Sequence, residues 1–216
     1  EKHRDIMIMR PQKTFFELIQ HRGLPNFFQR FCCEKLKEAY VAKNVITGVR
    51  RDESWKRAQR YKEPQICRQF KNGEKAFIYM PILYWTDKDI KEYIKKESIK
   101  CHPYYYDSEG RFHVERRLGC LACPLRYDRG IPDFKKYPRL VKLWCRNLAI
   151  YRNTRPKVTK TILNFKDEYE HFYHNLYHHK MEELEKKRSD PNGFDPRAEL
   201  SREFNIELPP AQSNID

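Results

Sequence analysis

Apolar residues in this chain come in short runs and helical stripes, separated by strongly polar stretches. Ile6 to Met9 reads as a short strand, stopped by Pro11. Thr14 is placed to cap a helix running to about Gln20, which His21-Arg22-Gly23 closes. The segment Arg30-Phe31-Cys32-Cys33-Glu34-Lys35-Leu36-Lys37 opens a second helix, predicted to reach about Lys43. Val45-Ile46-Thr47-Gly48-Val49-Arg50 reads as a buried strand that runs into the polar loop Arg51-Asp52-Glu53-Ser54. A loop marked by Pro64 and Gly73 follows, then a strand-like run from Phe77 to Ile82 with Pro81 at its end or on an edge. Thr86-Asp87-Lys88-Asp89 has the form of a capping box, with Asp in place of the usual Glu or Gln. The helix after it would carry Ile90, Tyr93 and Ile94 on one face.

The pattern then changes. Cys101 to Gly119 is irregular and rich in Tyr and charge, and Gly119-Cys120-Leu121-Ala122-Cys123-Pro124 reads as a tight turn. Asp133 to Arg152 has Leu140, Leu143, Trp144 and Leu148 at helical spacing, and Thr161 to about Lys187 reads as a longer helix. Asp190 to Asp216 is polar and Pro-rich, a tail that docks on something or stays disordered. Alternating helix and buried strand predicts an α/β fold, a mostly parallel sheet flanked by helices, with a helical C-terminal region. The expected division is an α/β domain over 1–130, a helical extension over 131–188 and the tail over 189–216.

Hydrophobic residues make up 39% of the 216, but aromatics reach 14%, so a core is affordable. No apolar run approaches the ~20 residues that span a bilayer, and no signal peptide opens the chain. A cytoplasmic protein without membrane contact is expected. The chain begins at Glu1 and reads as the inside of a domain, so more of the parent protein is expected upstream. The formal net charge of +14 favours polyanions, nucleic acid or nucleotide phosphates, over a plainly solvated basic surface or an acidic protein partner.

Seven cysteines, an odd number without a secretory signal, argue for reduced thiols, some of them ligands. A two-residue spacer lets Cys120 and Cys123 converge on one metal, and Cys32-Cys33 completes a set of four soft donors. Adjacent cysteines diverge, which suits two irons of a 4Fe–4S cluster better than one tetrahedral zinc. Zinc remains an alternative, as does a pair of core thiols beside a redox CxxC. Cys67, Cys101 and Cys145 stand alone; Cys145 falls in an apolar helical pattern and reads as core, and Cys101 is placed to sit near the metal. His102, His113 and the His171 to His179 group show no ligand spacing, and the last group reads as a solvated helix face.

A second constellation follows the Val45 strand. Ligands in α/β sheets bind outside the carboxyl ends of strands. There Gly48 permits close backbone approach, and Arg50 and Arg57 offer forked donors for phosphate. Glu53 is placed to orient an arginine or accept from a ribose hydroxyl, and Ser54 to cap the next helix or bind phosphate. A charged surface loop with local ion pairs is the plainer reading.

Taken in order, Arg30 to Lys37, then Gly48 to Ser54 with Arg57, then Pro81 to Ile90 followed by Gly119 to Pro124, resemble the phosphoadenosine-phosphosulfate (PAPS) reductase family of the adenine nucleotide α-hydrolase superfamily. The resemblance covers roughly residues 5 to 130. It implies a nucleotide α-hydrolase-like sheet that binds ATP or a related adenine nucleotide, with Gly48, Arg50, Glu53, Ser54 and Arg57 near its phosphates. It implies a 4Fe–4S cluster on Cys32, Cys33, Cys120 and Cys123. The family's phosphate loop, of Ser-Gly-Gly-x-Asp-Ser type, has no counterpart here and is expected upstream. The residues from Leu200 onward contain no cysteine, so the tail thiol of sulfite-forming reductases has no counterpart either.

Family members lacking that tail include enzymes that activate a nucleic acid and insert sulfur, such as the DNA phosphorothioation protein. The expected function is therefore adenine-nucleotide-dependent sulfur transfer or activation on nucleic acid. The alternative is a non-catalytic accessory subunit of a nucleoprotein or defence complex, with protein partners at the C-terminal region; a sulfonucleotide reductase comes third.

Overall fold

Thr14 accepts a hydrogen bond from the Glu17 amide, and Glu17 accepts from the Thr14 amide at 2.6 Å. This reciprocal cap starts α1 (Phe15–Arg22), which closes at Gly23. Gly23 has φ +76°, and a Cβ there would stand 2.9 Å from the Tyr151 ring, so both conformation and packing demand glycine. The computed structural model describes residues 10–26, 28–37, 43–69, 73–116, 118–154, 164–177, 180–191 and 193–212. The strand expected at Ile6 to Met9, the end of the helix expected to reach Lys43 and the start of the one expected from Thr161 lie outside the described residues.

The chain gathers into two compact units. One is built from Glu1–Ala39 and Gly119–Asp216, the other from Tyr40–Leu118. The second unit holds β1 (Asn44–Ile46), α2 (Trp55–Arg60), β2 (Gln65–Gln69), β3 (Lys75–Tyr79) and α3 (Asp87–Lys96). Its sheet has the order β1-β3-β2. Val45 lies opposite Ile78 in the parallel β1–β3 pair, and Ile66 opposite the same Ile78 in the antiparallel β2–β3 pair. The fold is α/β, with one parallel and one antiparallel pair among the described strands.

Two expectations change here. The stretch read as a loop around Pro64 and Gly73 contains β2, which turns into β3 through Gly73 at φ +83°. Gln65-Ile66-Cys67-Arg68-Gln69 has too few apolar residues to signal a strand; its ladder with β3 makes it one. The Val45 run is not buried: Ile46 is 77% exposed, because β1 pairs only with β3 among the described strands. Thr86 caps α3 as expected, with Asp89 accepting from the Thr86 amide at 2.7 Å.

The first unit is helical: α1, a wide π-type turn (Cys33–Lys37), α4 (Ile131–Lys136), α5 (Arg139–Thr154), α6 (Glu168–Tyr177), α7 (Met181–Arg188) and α8 (Pro196–Glu203). The helix expected over Asp133 to Arg152 is broken at Pro138, whose ring cannot continue an α-helix. α5 buries Val141, Trp144, Cys145 and Leu148, while Leu143 turns outward. Phe134 of α4 sits at the centre, edge-on to Trp144 and Phe172 at 5.4 Å each and to Phe204 at 5.9 Å. The polar C-terminal stretch docks on this chain's own helices through buried Leu200, Phe204 and Leu208. Among the described residues no helix is long and apolar enough to cross a membrane.

Candidate functional site

Buried Phe31 anchors the segment that carries Cys32 and Cys33. The Cys33 amide donates to the Arg30 carbonyl at 3.0 Å, and the backbone then widens into the π-type turn. Such turns have one residue more per bond than an α-helix and often re-aim side chains at functional sites. One Arg30 guanidinium nitrogen stands 3.9 Å from the Cys33 sulfur. Lys37, at the end of the turn, donates to the Cys120 sulfur and lies within electrostatic range of Cys33 and Cys123, which together raise its pKa.

The Cys120–Cys123 turn is held from behind. The Cys123 amide donates to the Cys120 carbonyl at 3.3 Å, and Ala122 takes a left-handed φ of +51°. The Ala122 amide donates to Asp133 Oδ2 at 2.8 Å, the same carboxylate oxygen that receives Arg126 at 2.6 Å. Arg126 reaches Asp128 with its other terminal nitrogen. Gly130, at φ +76°, packs its bare backbone on the turn: a Cβ there would meet the Ala122 carbonyl carbon at 2.6 Å.

Both cysteine pairs therefore belong to the first unit and to one neighbourhood. Cys32 is hydrogen-bonded to Cys33 and feels Cys123; burial first, then Cys33, push its thiol up to about 11. The Cys32 thiol therefore favours its protonated form unless a cation offsets the charge. Among the described residues no three His, Cys, Asp or Glu side chains are gathered closely enough to hold a single metal ion. Cys33, Cys120 and Cys123 lie around Lys37, and Cys32 lies against Cys33, so the backbone presents the four thiols from two loops. Cys145 is core, as expected; Cys67 is exposed on β2.

The arginine loop belongs to the second unit. Arg50 is buried, donates to Asp87 at 2.7 Å and to the Trp85 carbonyl at 3.3 Å, and so ties the loop to the start of α3. Asp52 accepts from the Asp87 amide at 3.0 Å. Arg57 pairs with Glu53, and Ser54 caps α2 by accepting from the Arg57 amide at 3.3 Å. Arg50, Glu53, Ser54 and Arg57 are thus brought together, but by local ion pairs and a cap. Gly48 has no left-handed φ, and a Cβ there would touch only Ile82 at 3.9 Å.

Residues 2–126 match the phosphoadenosine phosphosulfate reductase domain. The chain belongs to this family. The PAPS reductase match contains the arginine loop and both cysteine pairs and ends just past Cys123. The chain is 37% identical over 90 residues to the phosphoadenosine 5'-phosphosulfate reductase of Xanthomonas oryzae pv. oryzae (strain PXO99A), covering 39% of this chain and 34% of that one. It is 39% identical over 75 residues to its counterpart in Xanthomonas euvesicatoria pv. vesicatoria (strain 85-10), covering 33% and 28%. It is 28% identical over 131 residues to an uncharacterized 37.8 kDa protein of Escherichia phage 186, covering 54% and 36%. The matched segment spans about a third of the length of these curated relatives. No solved structure matches the chain.

Sequence reasoning missed Lys37, Arg126, Gly130 and Asp133 as neighbours of the cysteine pairs. Gly130-Ile131-Pro132-Asp133 does carry a helix-start signal, Pro at the first turn with an acid after it. That the acid faces Ala122 is a tertiary fact with no local signature. His171 was misplaced: read as part of a solvated helix face, it is buried and stacked on Phe165 at 4.3 Å, and burial lowers its pKa to about 3.

Proposed function

We propose that this PAPS-reductase-family protein carries out adenine-nucleotide-dependent sulfur transfer or activation on nucleic acid, with a 4Fe–4S cluster held by Cys32, Cys33, Cys120 and Cys123. The observation that carries the reading is the meeting of two distant cysteine pairs around Lys37 in one unit. When bound, the cluster would supply a redox-capable iron–sulfide centre. Lys37 would donate to a cluster thiolate, and Asp133 would hold the CxxC turn in place. The net charge of +14 supports a polyanionic substrate. In outline, an acceptor oxygen of the nucleic acid attacks the α-phosphorus of ATP and pyrophosphate leaves; the outer sulfur of a persulfide donor then displaces AMP, and a second thiol cleaves the resulting S–S link, leaving the sulfur on the acceptor and a disulfide on the donor.

The test is pyrophosphate release by the full-length parent protein, held anaerobic, with ATP and with or without DNA. Release that depends on DNA, followed by entry of donor sulfur into the DNA, is expected. ATP turnover indifferent to DNA, or none with a fully loaded cluster, would remove the reading. A second reading, a non-catalytic accessory subunit, is favoured by one observation: Arg50 and Arg57 already hold carboxylates that a phosphate would have to displace.

A further inference from the structure

Directly after Cys123, the residues Pro124, Leu125 and Arg126 enter the wall of a cavity of about 770 Å³ within the first unit. That size suits a small organic ligand. Three arginines, Arg22, Arg126 and Arg129, line it beside the neutral, buried His171, and no Asp or Glu does. Its interior therefore favours an anion.

The cations differ in freedom. Arg126 is held by Asp128 and Asp133, and Arg129 donates to the Asn175 carbonyl at 2.5 Å. Arg129 is kept at a left-handed φ of +52°, a conformation a non-glycine residue adopts only when its surroundings hold it. Arg22, in the last turn of α1, is exposed and able to reach a phosphate.

Two further features point to a ring with polar edges. Phe28 and Tyr127 both line the cavity and are fully exposed, at 98% and 106%. Exposed aromatics beside arginines are how proteins stack unpaired bases. Deeper in, His171 is 8% exposed, and its Nδ1 has no hydrogen-bond partner, nor has Oδ1 of Asn175. A buried polar atom without a partner is destabilising, and a ligand with complementary groups relieves that cost. An exocyclic amine and a ring nitrogen are such groups.

We propose that this cavity takes one unstacked nucleotide of a single-stranded nucleic acid, its base among Phe28, Tyr127, His171 and Asn175 and its phosphate on Arg22. The inference rests on the nucleic-acid part of the reading above and deepens it: the acceptor is unpaired, and it lies beside the CxxC turn rather than at the arginine loop. The cavity straddles the end of the family match: Arg22 and Phe28 lie within it, and Tyr127, His171 and Asn175 lie beyond it.

The test is fluorescence anisotropy of a labelled 12-nucleotide single-stranded DNA with the full chain, competed by the same sequence unlabelled, as a duplex and by AMP. Phe28→Ala and Tyr127→Ala each weaken binding about tenfold, about 1.4 kcal/mol, within the range for loss of a stacked base. Arg22→Gln lowers the slope of log affinity against log salt by roughly 0.7, one phosphate of a single strand. Both aromatic rings are exposed, so the unfolding midpoint stays at the wild-type value. Competition by single strand well ahead of duplex completes the expected result. Tight binding that ignores all three variants overturns the cavity and leaves the nucleic-acid reading standing. No binding of any oligonucleotide overturns both. AMP competing as well as the oligonucleotide, with the same sensitivity to the variants, keeps the nucleotide and overturns the strand.

Discussion

Asp133 accepts the amide of Ala122 at 2.8 Å, so the first turn of α4 fixes the geometry of the turn between Cys120 and Cys123. The same carboxylate oxygen takes Arg126 at 2.6 Å. One side chain thus orders both the backbone that presents the thiols and the arginine that follows them.

Asp133→Ala leaves the Ala122 amide and the Arg126 guanidinium without their acceptor. The half-buried setting puts the cost at about 1–3 kcal/mol. A urea midpoint lowered accordingly, together with less bound metal per chain, is the expected result. A midpoint and metal content equal to wild type would show that the turn holds itself.

Gly130→Ala faces two obstacles, a left-handed φ and a Cβ 2.6 Å from the Ala122 carbonyl carbon. Gly73→Ala and Gly193→Ala share the positive φ but open into free space. Thermal unfolding should therefore rank Gly130→Ala clearly below the other two, which lose roughly the 1 kcal/mol of conformational cost alone. Three equal melting temperatures would contradict the close packing.

Arg50 is an anchor before it is a phosphate ligand. Its guanidinium is buried, while Asp87 is 46% exposed and loses less without its partner. Arg50→Ala should cost about 1–2 kcal/mol, below the range for a fully buried pair. If Arg50 also holds phosphate, ATP affinity falls by a further 1–3 kcal/mol or so. Titrations with ATP on the folded variant separate the two effects, and unchanged affinity would confine Arg50 to the anchor role.

His113 has a carboxylate on each ring nitrogen, Asp107 at 2.9 Å and Glu115 at 2.7 Å. Asp107 first, then Glu115, raise its pKa above the ordinary imidazole value of 6.5. A raised folded pKa contributes stability that is full below the unfolded value and is lost as pH rises through the folded one. Stability should therefore decline from about pH 6.5 upward, and His113→Gln should flatten that decline. A proton NMR titration of His113 with a midpoint at or below 6.5 would rule the arrangement out.

The sequence made some of this legible and hid the rest for physical reasons. Capping is local, so Thr14 with Glu17 and Thr86 with Asp89 were readable from spacing. The α/β class followed from the alternation of elements. β2 was hidden because its stability comes from the ladder with β3 rather than from apolar side chains. The break at Pro138 was in plain view, yet the stripe of Leu140, Leu143, Trp144 and Leu148 outweighed it. Residue type and order singled out the two cysteine pairs and the arginine loop, and the fold gathers each set in one unit. Asp133, Gly130 and the buried His171 were not, since their roles depend on partners that only the folded chain brings near.

Anaerobic purification with iron, sulfide and zinc analysis and a visible spectrum, on wild type beside Cys120→Ser and Cys67→Ser, tests the central claim most directly. The account predicts a brown wild-type protein with about four irons and four sulfides per chain, retained in Cys67→Ser and lost with cooperative unfolding in Cys120→Ser. A colourless protein with about one zinc, or a Cys120→Ser variant that keeps iron and unfolds like wild type, would contradict it.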